Sequence, residues 1–427
     1  MKVRLWLLLA LFAASTTWLY VHRILAPWEH HRNVEIGTMK AELGDLYTPW
    51  FGTRELLLHH RNPYSPDVSH EIQMAFYGRA ITHDPGPGDI AVDEQRFAYP
   101  PYVAFLLAPT IHLTFAELQA GAPIVLAFLT AVGVILWFKV LRWSASWITV
   151  AAVVLFVLSS PPVVQGLRLR QLGLLIGFLV ALAALCVSRG YLWIAGAVLA
   201  VSTIKPQMVL LPLIWFLCWA ASDWRRRWRL LAGFAAVLMA LMGAAELVLP
   251  GWFFFFIRAL QAYRRYTFRP PLIELALGSI PGGIVATALL LALLAFGWRH
   301  RKNPGDSQEF VLTLACVLMV TMLTMPLIPL FNQLLLILPA MLAVRDWRSL
   351  PFARYAFLAV VGWPAVMSLI LLLLLPANSY PSTPIPLLPS TAYLCLPFIL
   401  PLLFLRRRGF ASPNSFSERT AASVTVS

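Results

Sequence analysis

Residues 282–302 read GGIVATALLLALLAFGWRHRK. No charge interrupts the stretch from Gly282 to Gly297; Trp298 follows, and then Arg299, His300, Arg301 and Lys302 in succession. An apolar run near the length of a bilayer span, closed by an interfacial tryptophan and a cationic cluster, is a transmembrane helix with its cytoplasmic end marked. The same ending recurs along the chain, at Asp223-Trp224-Arg225-Arg226-Arg227-Trp228-Arg229, at Arg345-Asp346-Trp347-Arg348 and at Arg406-Arg407-Arg408. Composition agrees: 59% of the residues are apolar and 12% charged, where a soluble domain carries about 25% charged. The fold class is an all-α polytopic membrane protein.

Spans are expected at 3–21, 118–138, 146–163, 171–187, 190–204, 206–221, 229–249, 282–298, 310–325, 327–344, 354–375 and 389–405, about 12 transmembrane helices with 11–13 as the range. The basic clusters place both termini on the cytoplasmic side. Residues 1–408 form one integral membrane domain, and the Ser-rich stretch 409–427 is a disordered cytoplasmic tail. The first span follows Met1-Lys2-Val3-Arg4 and is read as an uncleaved signal anchor, although Ala13-Ala14-Ser15 resembles a cleavage site. Tyr99-Pro100-Pro101 leads into an apolar run too short and too proline-bounded to span clearly, so 98–113 is taken as re-entrant or half-buried. Another short pair of spans divides at Lys205-Pro206, as broken helices lining a polar cavity do. No internal repeat is evident.

A net charge of +14 would suit nucleic acid, but cations gathered at span ends are explained by topology, and no nucleic-acid partner is expected. Cys186, Cys218, Cys316 and Cys395 all fall within apolar spans without metal-ligand spacing, and are read as small core residues.

The titratable groups are concentrated in one place. Residues 22–97, a long first external loop, hold 11 of the 19 acidic residues and 7 of the 9 histidines. Within it, Asp45 lies in Gly44-Asp45-Leu46-Tyr47, soon after the first span. A carboxylate at the membrane surface among aromatics suits a general base acting on a lipid-proximal hydroxyl; it is also what a solvated loop acid looks like, with ten other acids in the same loop. Leu46, Phe51 and Leu56 follow a helical stripe, as an interfacial helix would, before the Arg61-Asn62-Pro63-Tyr64 turn. His83-Asp84, Asp89, Asp93 and Glu94 sit in a Pro/Gly-rich stretch without fixed ligand spacing, so no metal is assigned.

Cations on the external side run against the positive-inside rule and are more telling. Arg168, Arg170, Lys205, Arg258, Arg264 and Arg265 fall there, with Gln171 alongside. Their chemistry suits a phosphate headgroup, or equally contact with ordinary anionic membrane lipids. Asn332-Gln333 interrupts an apolar span and offers amides to a polar substrate or to the backbone freed by neighbouring prolines.

Gly44-Asp45-Leu46-Tyr47, Arg61-Asn62-Pro63-Tyr64 and Phe97-Ala98-Tyr99-Pro100-Pro101, followed by Arg170-Gln171, Arg189-Gly190, Ala195-Gly196 and Ile204-Lys205-Pro206, resemble glycosyltransferase family 87 over roughly residues 40–340. That resemblance implies the GT-C fold and a mannosyltransferase-like hexosyl transfer with inversion, from a polyprenyl-phosphate donor to a lipid or glycan acceptor. The reaction would occur on the external face of a bacterial plasma membrane, with no cofactor. It implies Asp45 as the base; Lys205, Arg264 and Arg265 match the role of phosphate contacts by type and side. Tyr47, Gln171 and Asn332 are read as sugar or acceptor contacts, and Tyr64 and Arg168 join the candidate substrate-binding residues. Mannosyltransferases resembling the family tend to carry a histidine near the external end of a late span, where this chain has Asn332-Gln333; the departure leaves mannose specificity and the acceptor open. Neither a glycine-rich phosphate loop nor an Asp-Xaa-Asp motif is present, in keeping with a lipid rather than a nucleotide donor. A transporter or flippase of lipid-linked sugars is the alternative; it would thread polar residues through several spans.

Overall fold

The computed structural model describes residues 2–35, 42–81, 93–267, 270–326, 330–346, 353–376 and 380–405. Every regular element among them is helical. Five helices are long and apolar enough to cross a membrane: Arg4–Glu35, Phe115–Val140, Trp224–Val248, Ser279–His300 and Ile385–Leu402. Trp147–Leu158 and Pro161–Arg168, bent by 60° at the break between them, make a sixth if they are one span. The remaining expected stretches are also helical, as shorter apolar helices: Gly173–Ser188, Leu192–Ser202, Pro206–Ala221, Gln308–Thr324, Leu330–Arg345 and Gly362–Leu374. The breaks follow the chemistry of the turns. Proline opens the helices after Ser160 and after Lys205, where its missing N–H costs nothing and its ring prevents the preceding helix from continuing.

Two elements differ from the sequence expectation. The first helix does not stop near residue 21 but runs on to Glu35, with a π-helical turn at Val21–Leu25. Its upper part is polar enough to read as loop, yet it is held by tertiary contacts: the Trp28 indole donates to the Pro381 carbonyl at 2.8 Å, and Arg32 donates to Ser382 at 3.1 Å. The second is the set of cysteines. Cys186 is buried and Cys316 partly so, but Cys218 and Cys395 lie on exposed helix faces rather than in the core.

The segment after Tyr99 forms only the short helix Val103–Leu107 and a single 3-10 turn, with Val103 and Ala104 fully buried. At about 1.5 Å per residue this cannot cross a bilayer. Tyr47–Leu58 is a helix, as its stripe suggests, but packs into the protein with Trp50, Thr53, Glu55 and Leu56 all buried. Its end is fixed by Arg61, which donates to Glu55 at 2.7 Å and to Glu71 at 2.6 Å. Ser65 then caps Pro66–Tyr77 through the Val68 amide. The stretch between Pro250 and Pro281 contains an amphipathic helix, Trp252–Thr267, with Trp252 and Phe256 buried and Phe253 and Phe254 exposed. His83, Asp84, Asp89 and the 409–427 tail lie outside the described residues.

Candidate active site

The helix Pro161–Arg168 ends in a hydrogen-bonded reversal: the Arg170 amide donates to Leu167 and the Gln171 amide to Gly166. That pair is the Schellman pattern, whose left-handed position is ordinarily glycine. Here it is Arg170, at φ +52°. A non-glycine residue held in that region costs on the order of 1 kcal/mol, and such strain gathers where a site needs a particular geometry. Its consequence is that Gln171, only 3% exposed, is fixed just beyond the turn.

Asp45 is brought to Gln171 through the backbone. Its amide donates to the Leu169 carbonyl at 2.8 Å. The preceding Gly44 has φ +71°, and a Cβ there would sit 2.8 Å from the same carbonyl oxygen. Only glycine lets the two chains meet so closely with that backbone sign. The Gly-Asp pair therefore docks the first loop on the reversal and delivers the carboxylate to the Gln171 amide.

That amide is used at both ends. Gln171 Nε2 donates to Asp45 Oδ2, and Gln171 Oε1 accepts from Lys205 Nζ. The Gly173 amide also points at Oε1, at 3.4 Å. Lys205 lies between Leu192–Ser202 and Pro206–Ala221, is 5% exposed, and holds its ammonium 4.9 Å from the Phe331 ring centroid. A carboxylate and an ammonium, 160 residues apart in sequence, are thus joined by one side-chain amide instead of in direct contact. Burial raises the Asp45 pKa to about 6, opposed by the positive charge of Lys205 and augmented by Asp93. Burial lowers that of Lys205 to about 8, opposed by Asp45. Desolvation favours the neutral form of each, and each charge partly restores the other.

Aromatic residues frame this cluster. The Tyr64 hydroxyl donates to the Tyr99 carbonyl at 2.5 Å, and its ring meets Phe97 edge-on at 5.1 Å. Tyr102 and Thr203 hold their hydroxyls 2.9 Å apart, tying the Val103–Leu107 region to the Lys205 turn. The amphipathic helix passes alongside, with Phe255 stacked 6.5 Å from Tyr64 and Trp252 edge-on to Tyr102.

Of the residues singled out in the sequence, Asp45, Gln171 and Lys205 come together, and Asn332 follows Phe331 in the adjoining 3-10 helix Leu330–Leu336. Asn332 is 3% exposed, and its Oδ1 has no hydrogen-bond partner among the described residues. Tyr64 joins as a tie rather than a free hydroxyl. Tyr47 faces away, packed against Phe51, Phe76 and Phe115. Arg168 is engaged by Glu29 of the first helix at 2.7 Å. Arg264 and Arg265 are exposed at the end of Trp252–Thr267. Sequence reasoning missed Phe331 as part of the site, and named Gly44 and Arg170 only as a motif member and an external cation, without their backbone roles. Glycine before the candidate acid was the available signal; nothing in sequence marks Arg170 as left-handed.

No curated protein matches the chain. The model of glycosyltransferase family 87 matches residues 97–326, which takes in Phe97, Gln171, Lys205, Arg264 and Arg265 but leaves Asp45 before its start and Asn332 beyond its end. The match covers more than half of a chain whose described residues are helical and include several apolar helices of membrane length: this protein is a member of glycosyltransferase family 87, a membrane glycosyltransferase.

Proposed function

We propose that the chain is a GT-C-type enzyme that moves a hexosyl unit, mannosyl or similar, from a polyprenyl-phosphate donor to a lipid or glycan acceptor at the external face of a bacterial plasma membrane, with inversion. The observation that carries this reading is the Asp45–Gln171–Lys205 chain: a carboxylate and a cation, both buried, joined through one side-chain amide. Asp45 Oδ2 is bonded to Gln171, leaving Oδ1 to take the acceptor's hydroxyl proton. The acceptor oxygen then bonds to the anomeric carbon as the bond from that carbon to the phosphate oxygen breaks. The electron pair leaves with the polyprenyl phosphate, which is already a stable anion and needs no acid. Lys205 offsets the charge that accumulates there, and the exposed Arg264 and Arg265 attract the anionic donor. Gln171 acts by orientation: with both ends of its amide engaged, it sets the Asp45 carboxylate plane and keeps the ammonium from quenching it. Asn332 contacts the sugar or acceptor.

The test is transfer of radiolabelled sugar from polyprenyl-phosphate mannose and polyprenyl-phosphate glucose in membranes carrying equal amounts of wild type or Asp45→Asn. Loss of a general base predicts a fall of about 10²–10⁴-fold in the variant. Equal transfer by the two proteins would remove Asp45 from the mechanism.

A further inference from the structure

Two cationic runs, 223–229 and 298–302, meet at the end of the molecule that the positive-inside pattern marks as cytoplasmic. They are joined by Arg227, which is 7% exposed. Its guanidinium donates to the carbonyls of Trp219 at 2.9 Å, Arg301 at 2.8 Å, Lys302 at 2.9 Å and Asn303 at 3.0 Å. It also stands 4.0 Å from the Trp219 ring centroid, and the Ser222 hydroxyl donates to the Arg301 carbonyl at 2.7 Å. Arg227 thus clamps the chain after Ser279–His300 through backbone oxygens, with no carboxylate in the clamp.

The clamp gathers like charges. Arg225, Arg226, Arg229, Arg299 and Lys302 are exposed, and none of them forms an ion pair among the described residues. Asp223 is the one acid in the two runs, and its charge acts on Arg227. Asp306, just beyond, is taken by Arg142. Charges of one sign held together repel, so the cluster calls for an anion from outside the chain. Its level gives the setting of that anion. Trp224, Trp228 and Trp298 are 61%, 41% and 65% exposed, and exposed tryptophan at a span end lies among lipid headgroups. Pro206–Ala221 begins beside Lys205 and ends at the clamp, about 24 Å away. Its residues Gln207, Leu210, Ile214, Cys218 and Ala221 are exposed at helical spacing, with Trp215, Phe216 and Trp219 buried beside them. Trp224–Val248 packs against this helix, and so does Ser279–His300, whose Gly297 faces the Trp215 ring. What those neighbours leave uncovered is a strip one residue wide, whose side chains shrink from Leu210 and Ile214 to Cys218 and Ala221 at the clamp.

We propose that this corner binds one anionic phospholipid of the cytoplasmic leaflet, with its phosphate among Arg225, Arg226 and Lys302 and one acyl chain along the strip. Charge selects the head, since basic pockets between spans on this side attract anionic lipid. The strip selects a lipid over other anions, because a free phosphate or an acidic soluble protein has nothing to lay along it. The chain's own tail does not supply the anion: residues 409–427 hold a single acid, Glu418, beside Arg419. The lipid is a partner and not a substrate, because the whole length of Pro206–Ala221 separates its head from Lys205. By neutralising the clamped cations it makes the stability of the protein depend on the composition of that leaflet.

The test is native mass spectrometry of the full-length protein, delipidated in detergent and titrated with dioleoyl phosphatidylglycerol. One copy should bind, and dioleoyl phosphatidylethanolamine should bind at least about tenfold more weakly. Neutralising the exposed cations in Arg225→Gln/Arg226→Gln/Lys302→Gln should raise the half-saturating concentration at least about tenfold. Arg406→Gln/Arg407→Gln/Arg408→Gln removes the same charge elsewhere in the chain and should leave binding unchanged. Cys218→Trp, which obstructs the strip and alters no charge, should weaken binding as well. All of these variants keep Arg227 and change exposed or terminal positions, so the clamp itself is retained. Phosphatidylglycerol should also raise the melting temperature of the wild type and not that of the first triple variant. Equal weakening in the two triple variants would reduce the site to diffuse attraction and overturn the proposal. So would equal binding of the two lipids, or binding of glycerophosphoglycerol, the head without its chains, as tight as that of the whole lipid. None of these readouts needs sugar transfer, so the result stands apart from the enzymatic reading.

Discussion

Asp45 and Lys205 titrate on opposite sides of neutrality, and both displacements come from the same cause, removal of water from a charge. The proposed mechanism requires Asp45 ionised and Lys205 protonated. The rate at saturating donor should therefore rise about tenfold per pH unit up to about 6, level off, and fall above about 8. Lys205→Arg should remove the alkaline fall, because guanidinium keeps its proton throughout that range. Initial rates from pH 5 to 9 on both proteins check this. The same burial has a stability sign. Asp45 has a folded pKa above its unfolded one, so its contribution favours the fold below about 4 and is lost as pH rises through about 6. Asp45→Asn should accordingly melt roughly 2–4 °C higher than wild type at pH 7.5 while being inactive, measured by thermal shift in detergent. A candidate acid at this position could be read from its loop, its aromatic neighbours and the preceding glycine. The two-ended use of Gln171 could not, since its partners come from residue 45 and residue 205 and meet only in the folded chain.

Between elements, the closest approach that bears on the site is the one between Gly173–Ser188 and the 3-10 helix Leu330–Leu336. A Cβ on Gly177 would fall 1.9 Å from Leu334 Cδ1. Gly177→Val should push that helix, with Phe331 and Asn332, away from Lys205 and destabilise the protein by about 1–3 kcal/mol. Leu334→Ala in the same chain should recover part of both stability and transfer, and a double-mutant cycle on melting and initial rate measures the coupling. The helices themselves were legible because apolar length, prolines at turns and cationic ends are local signals. Thr114-Phe115-Ala116-Glu117, for example, is a complete capping box at the head of Phe115–Val140. The helix from Ala26 to Glu35 was not legible, because Glu29, His30, His31 and Arg32 give it a loop's composition and its stability comes from partners 350 residues away. The Leu330–Leu336 turn was hidden for a similar reason: its apolar sequence continues that of the span, and its 3-10 geometry is set by what packs on it.

Across the whole molecule, much of what reads in sequence as a long first loop is helical among the described residues, at Ala26–Glu35, Tyr47–Leu58 and Pro66–Tyr77, and Asp45, Gln171 and Lys205 meet from three separate turns. The first helix has a particular place in this. Arg4–Glu35 is 32 residues long, about 48 Å, against a hydrocarbon core of about 30 Å. Its length exceeds that thickness, and Glu29 near its C-terminal end grips Arg168, two residues before the left-handed Arg170 and three before Gln171. Hydrophobic mismatch tilts a long span or draws it in. A bilayer that tilts this helix should therefore pull on the Arg168 end of the turn that holds Gln171. Transfer rates in vesicles of 14-, 16- and 18-carbon acyl chains should differ for the wild type, and Glu29→Gln should flatten that dependence.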